Sequence, residues 1–239
     1  MNLDVLVFGA HPDDAELSMG GTIAKLTSNK LKVGIIDLTK GELGTRGTAE
    51  TRQKEAFQAA IVLKVAVREN LHIDDGNIQN TKENLIKIIM SIRRYKPKII
   101  FAPYFNDRHP DHIDTSGLVK RAMFSTGLSK IKTFDKEVSQ EPFRPNKLYY
   151  FMQTYTFEPS FIIDVSNEFE TKMKAVRAYE TQFHNPRSTE PETFISSPGF
   201  INYIESRAHF YGFQIGKNYG EPFFSEEKIE LDIVKMLNS

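Results

Sequence analysis

Leu3-Asp4-Val5-Leu6-Val7-Phe8-Gly9-Ala10-His11-Pro12-Asp13-Asp14-Ala15-Glu16 lies at the start of the sequence and holds a strand, a turn and the first residues of a helix. The run Leu3–Phe8 is short, apolar and stopped by Gly9-Ala10, as a buried strand is stopped by a turn. Apolar positions return at Leu17, Ile23, Ala24 and Leu26, so Ala15–Leu26 reads as a helix. Lys32–Leu38 repeats the strand pattern. Thr51–Leu63 reads as a helix with Ala56, Phe57, Ala60 and Ile61 on one face, at spacings of three and four. Asn84–Tyr95 is a further helix, which Pro97 helps to stop. Lys98–Ala102 is a third buried strand, and Asp111–Phe124 a helix.

Strands alternating with helices at this spacing predict βαβ units and a parallel sheet. Right-handed crossovers then place helices on both faces. The expected class is α/β: a Rossmann-like, three-layer αβα arrangement with a mostly parallel sheet and an active site at the carboxyl ends of its strands. Beyond Ser125 the pattern changes. Asn146–Gln153 and Ser160–Ser166 read as strands and Asn167–Phe183 as a helix. His184–Pro198 reads as a loop and Ser225–Leu237 as a charged closing helix. With no repeat or linker, residues 1–239 are expected to form one domain.

The charge balance excludes some partners. The 239 residues carry 31 Lys plus Arg against 31 Asp plus Glu, so no electrostatic case exists for nucleic acid or an anionic membrane. A neutral chain also permits association between copies. There is no cysteine, hence no disulfide, thiolate metal site or Cys nucleophile. The N-terminal apolar run lacks a basic flank and is too short for a signal peptide, and no stretch approaches 18 apolar residues. The expectation is a cytoplasmic protein.

Two segments carry chemistry. His11-Pro12-Asp13-Asp14-Ala15-Glu16 follows the first strand, and Asn106-Asp107-Arg108-His109-Pro110-Asp111-His112 follows the third. Singly, each has an ordinary explanation. Asp-Asp at a helix start is common capping, and His109 and His112 could flank a turn at Pro110. Together they place His11, Asp13, Asp14, His109, Asp111 and His112 beyond the carboxyl ends of two strands. A catalytic zinc site without cysteine takes three His or carboxylate ligands and leaves one position open. The six side chains suffice for three ligands, a base, an oxyanion donor and a carboxylate that orients a His. A dinucleotide site is excluded. Gly9-Ala10-His11-Pro12-Asp13 lacks the further glycines, and two carboxylates at a helix start would repel a pyrophosphate. Gly20-Gly21 reads as close packing of the first helix against the sheet.

These two motifs resemble those of the LmbE-like, or PIG-L, family of zinc deacetylases, which act on N-acetylglucosamine linked to another group. The resemblance extends through Gly41-Glu42-Leu43-Gly44-Thr45-Arg46-Gly47-Thr48, then Arg52 and Glu55, to Ala178-Tyr179-Glu180-Thr181-Gln182-Phe183 and Ile215-Gly216-Lys217-Asn218-Tyr219-Gly220-Glu221-Pro222-Phe223. The later segments resemble the bacillithiol biosynthesis branch, which removes acetate from N-acetylglucosaminyl-malate. The resemblance implies one zinc ion per chain on His11, Asp14 and His112, in a site open to other divalent metals. It implies Asp13 as general base, and His109, oriented by Asp111, as the donor to the oxyanion or the leaving amine. Asp13 argues against a mere metal store, which needs no free carboxylate there. Arg46 and Arg52 are expected to bind the malate carboxylates, since an Arg fork takes a carboxylate in bidentate fashion. The partner is then a small N-acetylglucosamine conjugate, such as the malate, an inositol conjugate or a chitin oligosaccharide. The resemblance also implies a homo-oligomer, a hexamer.

Overall fold

Val5 and Val7 of the first strand face one core, and Leu6 and Phe8 the other. That alternation explains why the strand reads as an unbroken apolar run: both faces are covered. The computed structural model describes residues 1–186, 188–231 and 234. In chain order the elements are β1 (Val5–Gly9), α1 (Asp14–Ser28), β2 (Val33–Asp37), α2 (Ala49–Leu63), β3 (Val67–Asn70), α3 (Lys82–Tyr95), β4 (Ile99–Pro103) and α4 (Pro110–Ser125). Then come the short hairpin β5 (Phe134–Asp135) and β6 (Val138–Ser139), followed by β7 (Lys147–Phe151), β8 (Phe161–Asp164), α5 (Phe169–Arg177), α6 (Pro198–Gln214) and β9 (Gly220–Phe224).

The main sheet has the order β3-β2-β1-β4-β7-β9-β8. It is parallel from β3 to β7, and β9 runs antiparallel to both neighbours. Helices α1, α2, α5 and α6 pack on one core, and α3 and α4 on the other. This is the expected three-layer α/β arrangement. The chain leaves β1 toward β2 on one side and returns to β4 on the other. The crevice between their carboxyl ends is therefore a switch point, where open α/β sheets bind ligands. The register Val5↔Ile99 to Val7↔Phe101 places the two motif loops side by side.

Three expectations are corrected, and β3 is a strand that the apolar pattern does not reveal. The strand β3 is polar along Val67-Arg68-Glu69-Asn70 and sits at a sheet edge, where the apolar signal fades. The predicted helix Asn167–Phe183 ends at Arg177, and residues 178–183 turn back into the core. The loop from His184 stops at Ser197, because Pro198 opens α6, an element the sequence reading did not identify. The closing helix Ser225–Leu237 is irregular over 225–231, and most of its remainder lies outside the described residues. The glycine pair packs closely, Gly21 against the sheet at the end of β8 as expected and Gly20 against α5. A Cβ at Gly21 would lie 2.8 Å from Val165 Cβ, and one at Gly20 would lie 3.0 Å from Lys172 Cγ of α5. At this point α1 kinks, with Met19 at φ −140°, and Glu221 of β9 accepts the freed Gly21 and Thr22 N–H groups at 3.0 and 2.6 Å. Lys172 pairs with the same carboxylate at 2.6 Å. Among the described residues, no helix is long and apolar enough to cross a membrane.

Candidate active site

Asp13 caps α1 with φ 111° and ψ −25°, a left-handed conformation that is uncommon outside glycine. The turn it makes sends Asp13 and Asp14 in different directions. Asp14 reaches the two histidines: its Oδ2 accepts the His11 N–H at 3.0 Å and lies 3.8 Å from His11 Nδ1, and its Oδ1 is 3.3 Å from His112 Nε2. Donors about 2.0 Å from a tetrahedral zinc are themselves about 3.3 Å apart. The ligand atoms of His11, Asp14 and His112 all fall within 4.8 Å of one another, so the three predicted ligands are brought together.

The remaining ring nitrogens are already occupied. His112 Nδ1 faces Asp107 Oδ1 at 2.8 Å. His11 Nε2 faces Asp75 Oδ1 at 3.0 Å and Asp111 Oδ2 at 3.3 Å. Carboxylates behind ligating imidazoles fix the tautomer and leave the inner nitrogen for a metal. Two imidazoles, each backed in this way, and the carboxylate of Asp14 suit zinc and other first-row divalent ions.

Electrostatics supports the same picture. Burial opposes charge on His11, but Asp111 and Asp75 overcome it and raise its pKa to about 9. His112 likewise rises to about 10 against burial, pulled by Asp14 and Asp107. Burial would raise Asp14, yet the two histidines hold it well below the carboxylate range. Burial pushes Asp13 up to about 6; Arg52 pulls against that, and Asp14 adds to it.

Two expected roles change. Asp111 does not orient His109. Its carboxylate goes to His11 and to the Gly76 N–H at 2.8 Å, while its backbone N–H donates to His109 Nδ1 at 3.2 Å. That bond makes Nδ1 the acceptor, so a neutral His109 carries its proton on Nε2. Burial, with His11 and His112 nearby, lowers the His109 pKa. Arg52 is not free for a ligand. Nε and Nη2 donate to Pro12 O at 3.2 and 3.0 Å, Nη1 to Gly41 O at 3.4 Å, and Nη2 to Asp13 Oδ2 at 2.8 Å. Gly41, at φ 67°, permits this approach, since a Cβ there would lie 2.4 Å from Arg52 Nη1. Glu55, three residues on, turns instead to Thr181.

Arg46 faces the cavity. It is buried and leaves Nε without a hydrogen-bond acceptor. The cavity of about 470 Å³ opens over the three ligands and is walled by Arg46, Arg108, Phe194, Phe200, Tyr203 and Arg207 among others. Sequence reasoning gave no role to Asp75, Asp107 or Arg108. Asp107 also accepts the Thr154 and Tyr155 N–H groups, at 2.7 and 3.2 Å, and so ties the β4 loop to the end of β7. Arg207 of α6 is spent on the Gln153 and Leu17 carbonyls.

The sequence profile of the GlcNAc-PI de-N-acetylase (PIG-L) family matches residues 6–123, which contain both motifs. The diacetylchitobiose deacetylase of Thermococcus kodakarensis is 30% identical over 91% of this chain and 80% of its own length. The chain belongs to the PIG-L family of deacetylases. Its fold is shared with relatives in the solved structures. A conserved protein of Thermus thermophilus is 35% identical with a TM-score of 0.85, over 96% of this chain and 97% of that one. The N,N'-diacetylchitobiose deacetylase of Pyrococcus horikoshii, solved with an inhibitor, is 28% identical with a TM-score of 0.80, over 92% and 82%.

Proposed function

We propose that this chain is a zinc-dependent N-deacetylase of a glucosamine conjugate with an acidic aglycone, N-acetylglucosaminyl-malate, and that it acts as one domain spanning residues 1–239. The observation that carries the reading is the convergence of His11, Asp14 and His112. Asp13 and His109 line the same cavity. His109, although its donor atom also lies near those of His11 and Asp111, is assigned to the oxyanion rather than to the metal. A divalent ion held by the three residues supplies Lewis acidity toward the acetyl carbonyl and toward water.

The chain's own groups do the rest. Asp13, held by Arg52, takes the proton of the attacking water; a cation on its neighbours would pull its raised pKa back down. His109 presents Nε2–H toward the developing oxyanion and then serves the leaving amine. Asp75, Asp107 and Asp111 fix the two imidazoles. Water adds to the amide carbon, the C–N bond breaks, and the products are acetate and a free glucosamine amine.

Arg46 supports an acidic aglycone, because its buried Nε lacks an acceptor that a carboxylate would supply. With Arg52 committed to Asp13, Arg108 takes over as the second carboxylate partner. It lines the cavity and stacks 4.6 Å over Phe194. On this reading the product belongs to bacillithiol biosynthesis, and the enzyme works in the cytoplasm as a homo-oligomer. The named activity of the Thermococcus and Pyrococcus relatives favours a second reading, a chitin disaccharide. An acetate-release assay decides between them, run on N-acetylglucosaminyl-malate, diacetylchitobiose and N-acetylglucosamine with and without a chelator. Release from the malate glycoside that a chelator abolishes is expected. Equal use of all three would sink the acidic-aglycone reading.

A further inference from the structure

The segment between α5 and α6 contributes Thr193, Phe194 and Ile195 to the cavity wall, and it also delivers a carboxylate to Arg46. Glu190 Oε2 lies 3.7 Å from Arg46 Nε, and Glu190 Oε1 accepts the Gly47 N–H at 2.8 Å. The pair is lopsided. The Arg46 side chain is 5% exposed and that of Glu190 40%. At 3.7 Å the contact neutralises charge without making a hydrogen bond. Arg46 Nε is therefore a buried charged donor with a counter-ion but no acceptor. Leaving such a donor unmet is costly, and a carboxylate at closer range would meet it.

We propose that Glu190 is an internal stand-in for the substrate's carboxylate. It balances Arg46 in the free enzyme, and an acidic aglycone must displace it, so Glu190 sets how strongly the site prefers anionic substrates. This rests on the acidic-aglycone reading above. The geometry allows the exchange. Glu190 reaches in from a solvent-facing segment, whereas Arg46 is held at its backbone by Gln182 Nε2, which donates to Arg46 O at 2.9 Å. A neutral aglycone brings no charge to compete, so Glu190 keeps its place.

The test compares wild type, Glu190→Gln and Glu190→Asp, all metal-loaded, on N-acetylglucosaminyl-malate and on the neutral methyl glycoside of N-acetylglucosamine. Gln retains an oxygen for the Gly47 N–H and removes only the charge. The ratio of KM for the malate glycoside to KM for the methyl glycoside is expected to fall about fivefold in Glu190→Gln, the scale of a partly exposed ion pair. Glu190→Asp, which keeps the charge and shortens its reach, should fall in between. L-Malate, titrated calorimetrically as a probe, should bind Glu190→Gln about fivefold tighter than wild type. A wild-type preference for the malate glycoside that Glu190→Gln leaves unchanged, or unchanged L-malate affinity, overturns this inference alone. Equal KM values for both glycosides in wild type would instead overturn the substrate reading on which it rests.

Discussion

Arg52 Nη2 donates to Asp13 Oδ2 at 2.8 Å, across 39 positions of sequence. The same guanidinium clamps the Pro12 carbonyl, so one side chain holds both the base and the turn that presents it. Lys cannot reproduce that fork. Arg52→Lys is expected to lower kcat about 10- to 100-fold while KM moves less than about twofold, because a misplaced base costs rate rather than binding. Arg52 also pulls the Asp13 pKa down, so its loss should shift the acid limb of the kcat profile to higher pH. A raised KM with kcat preserved would return Arg52 to the substrate.

Asp13 itself calls for a substitution that respects its backbone. Asn tolerates the left-handed conformation that Ala would strain. Asp13→Asn should bind zinc as wild type does and lose about 10²- to 10⁴-fold in kcat. Retained turnover in the metal-loaded variant, with metal content measured by elemental analysis, would remove it as the base.

Asp107 and Asp111 stand behind different histidines, His112 and His11. Asp107→Asn and Asp111→Asn should each weaken zinc about 10- to 100-fold in competition with a chromogenic chelator. The position of the His109 limb in the pH–rate profile separates the two possible roles of Asp111. A large shift of that limb in Asp111→Asn, with zinc affinity intact, would restore the orienting role first expected from sequence.

The raised histidine pKa values link metal to protons. His11 rises from 6.5 to about 9 and His112 from 6.5 to about 10, so both carry protons at neutral pH in the metal-free protein. Both must lose them to bind a metal. Zinc affinity should therefore climb about a hundredfold per pH unit between 7 and 9, with about two protons released per ion in weakly buffered solution. The sign for folding is opposite. A raised pKa contributes stability that is full below pH 6.5 and lost as pH rises through about 9 to 10. Metal-free protein should melt at progressively lower temperature over that window. Affinity independent of pH there would refute the linkage.

A tight contact gives the stability test. Gly21→Ala would place a Cβ 2.8 Å from Val165 Cβ, with neither side a flexible tip. Overpacking of this kind costs about 1 to 3 kcal/mol, readable as a lower denaturant midpoint. An unchanged midpoint would mean that α1 and the end of β8 can part freely.

The fold was legible where burial is two-sided. β1, β2 and β4 are continuous apolar runs because both faces are covered. β3 escaped notice because it is polar at an edge, and β9 because Pro222 sits within it. Ser197 and Pro198 did carry the start signal of α6, but Phe210 and Phe213 on its exposed side blur the helical period. The convergence of His11, Asp14 and His112 was legible because each motif is a contiguous run beyond a strand end. Their supporting carboxylates were not. Asp75 comes from a loop with no motif of its own, and the exchange of Asp111 from His109 to His11 depends on the packing of two loops. The Arg52–Asp13 bond likewise joins helix to turn across the crevice, over a separation that no local pattern reveals.

The switch point between β1 and β4 also has a consequence for biosynthesis. His11 and Asp14 leave the ribosome ahead of His112 and its partner Asp107, which follow only after three further strands and three helices. At about 5 to 20 residues per second, that interval is roughly 5 to 20 s. On the proposed ligand set, the nascent chain then carries only two of the three donors. Loading would then await the fourth strand, and truncation before residue 112 is expected to abolish metal retention however well the first βαβ unit folds.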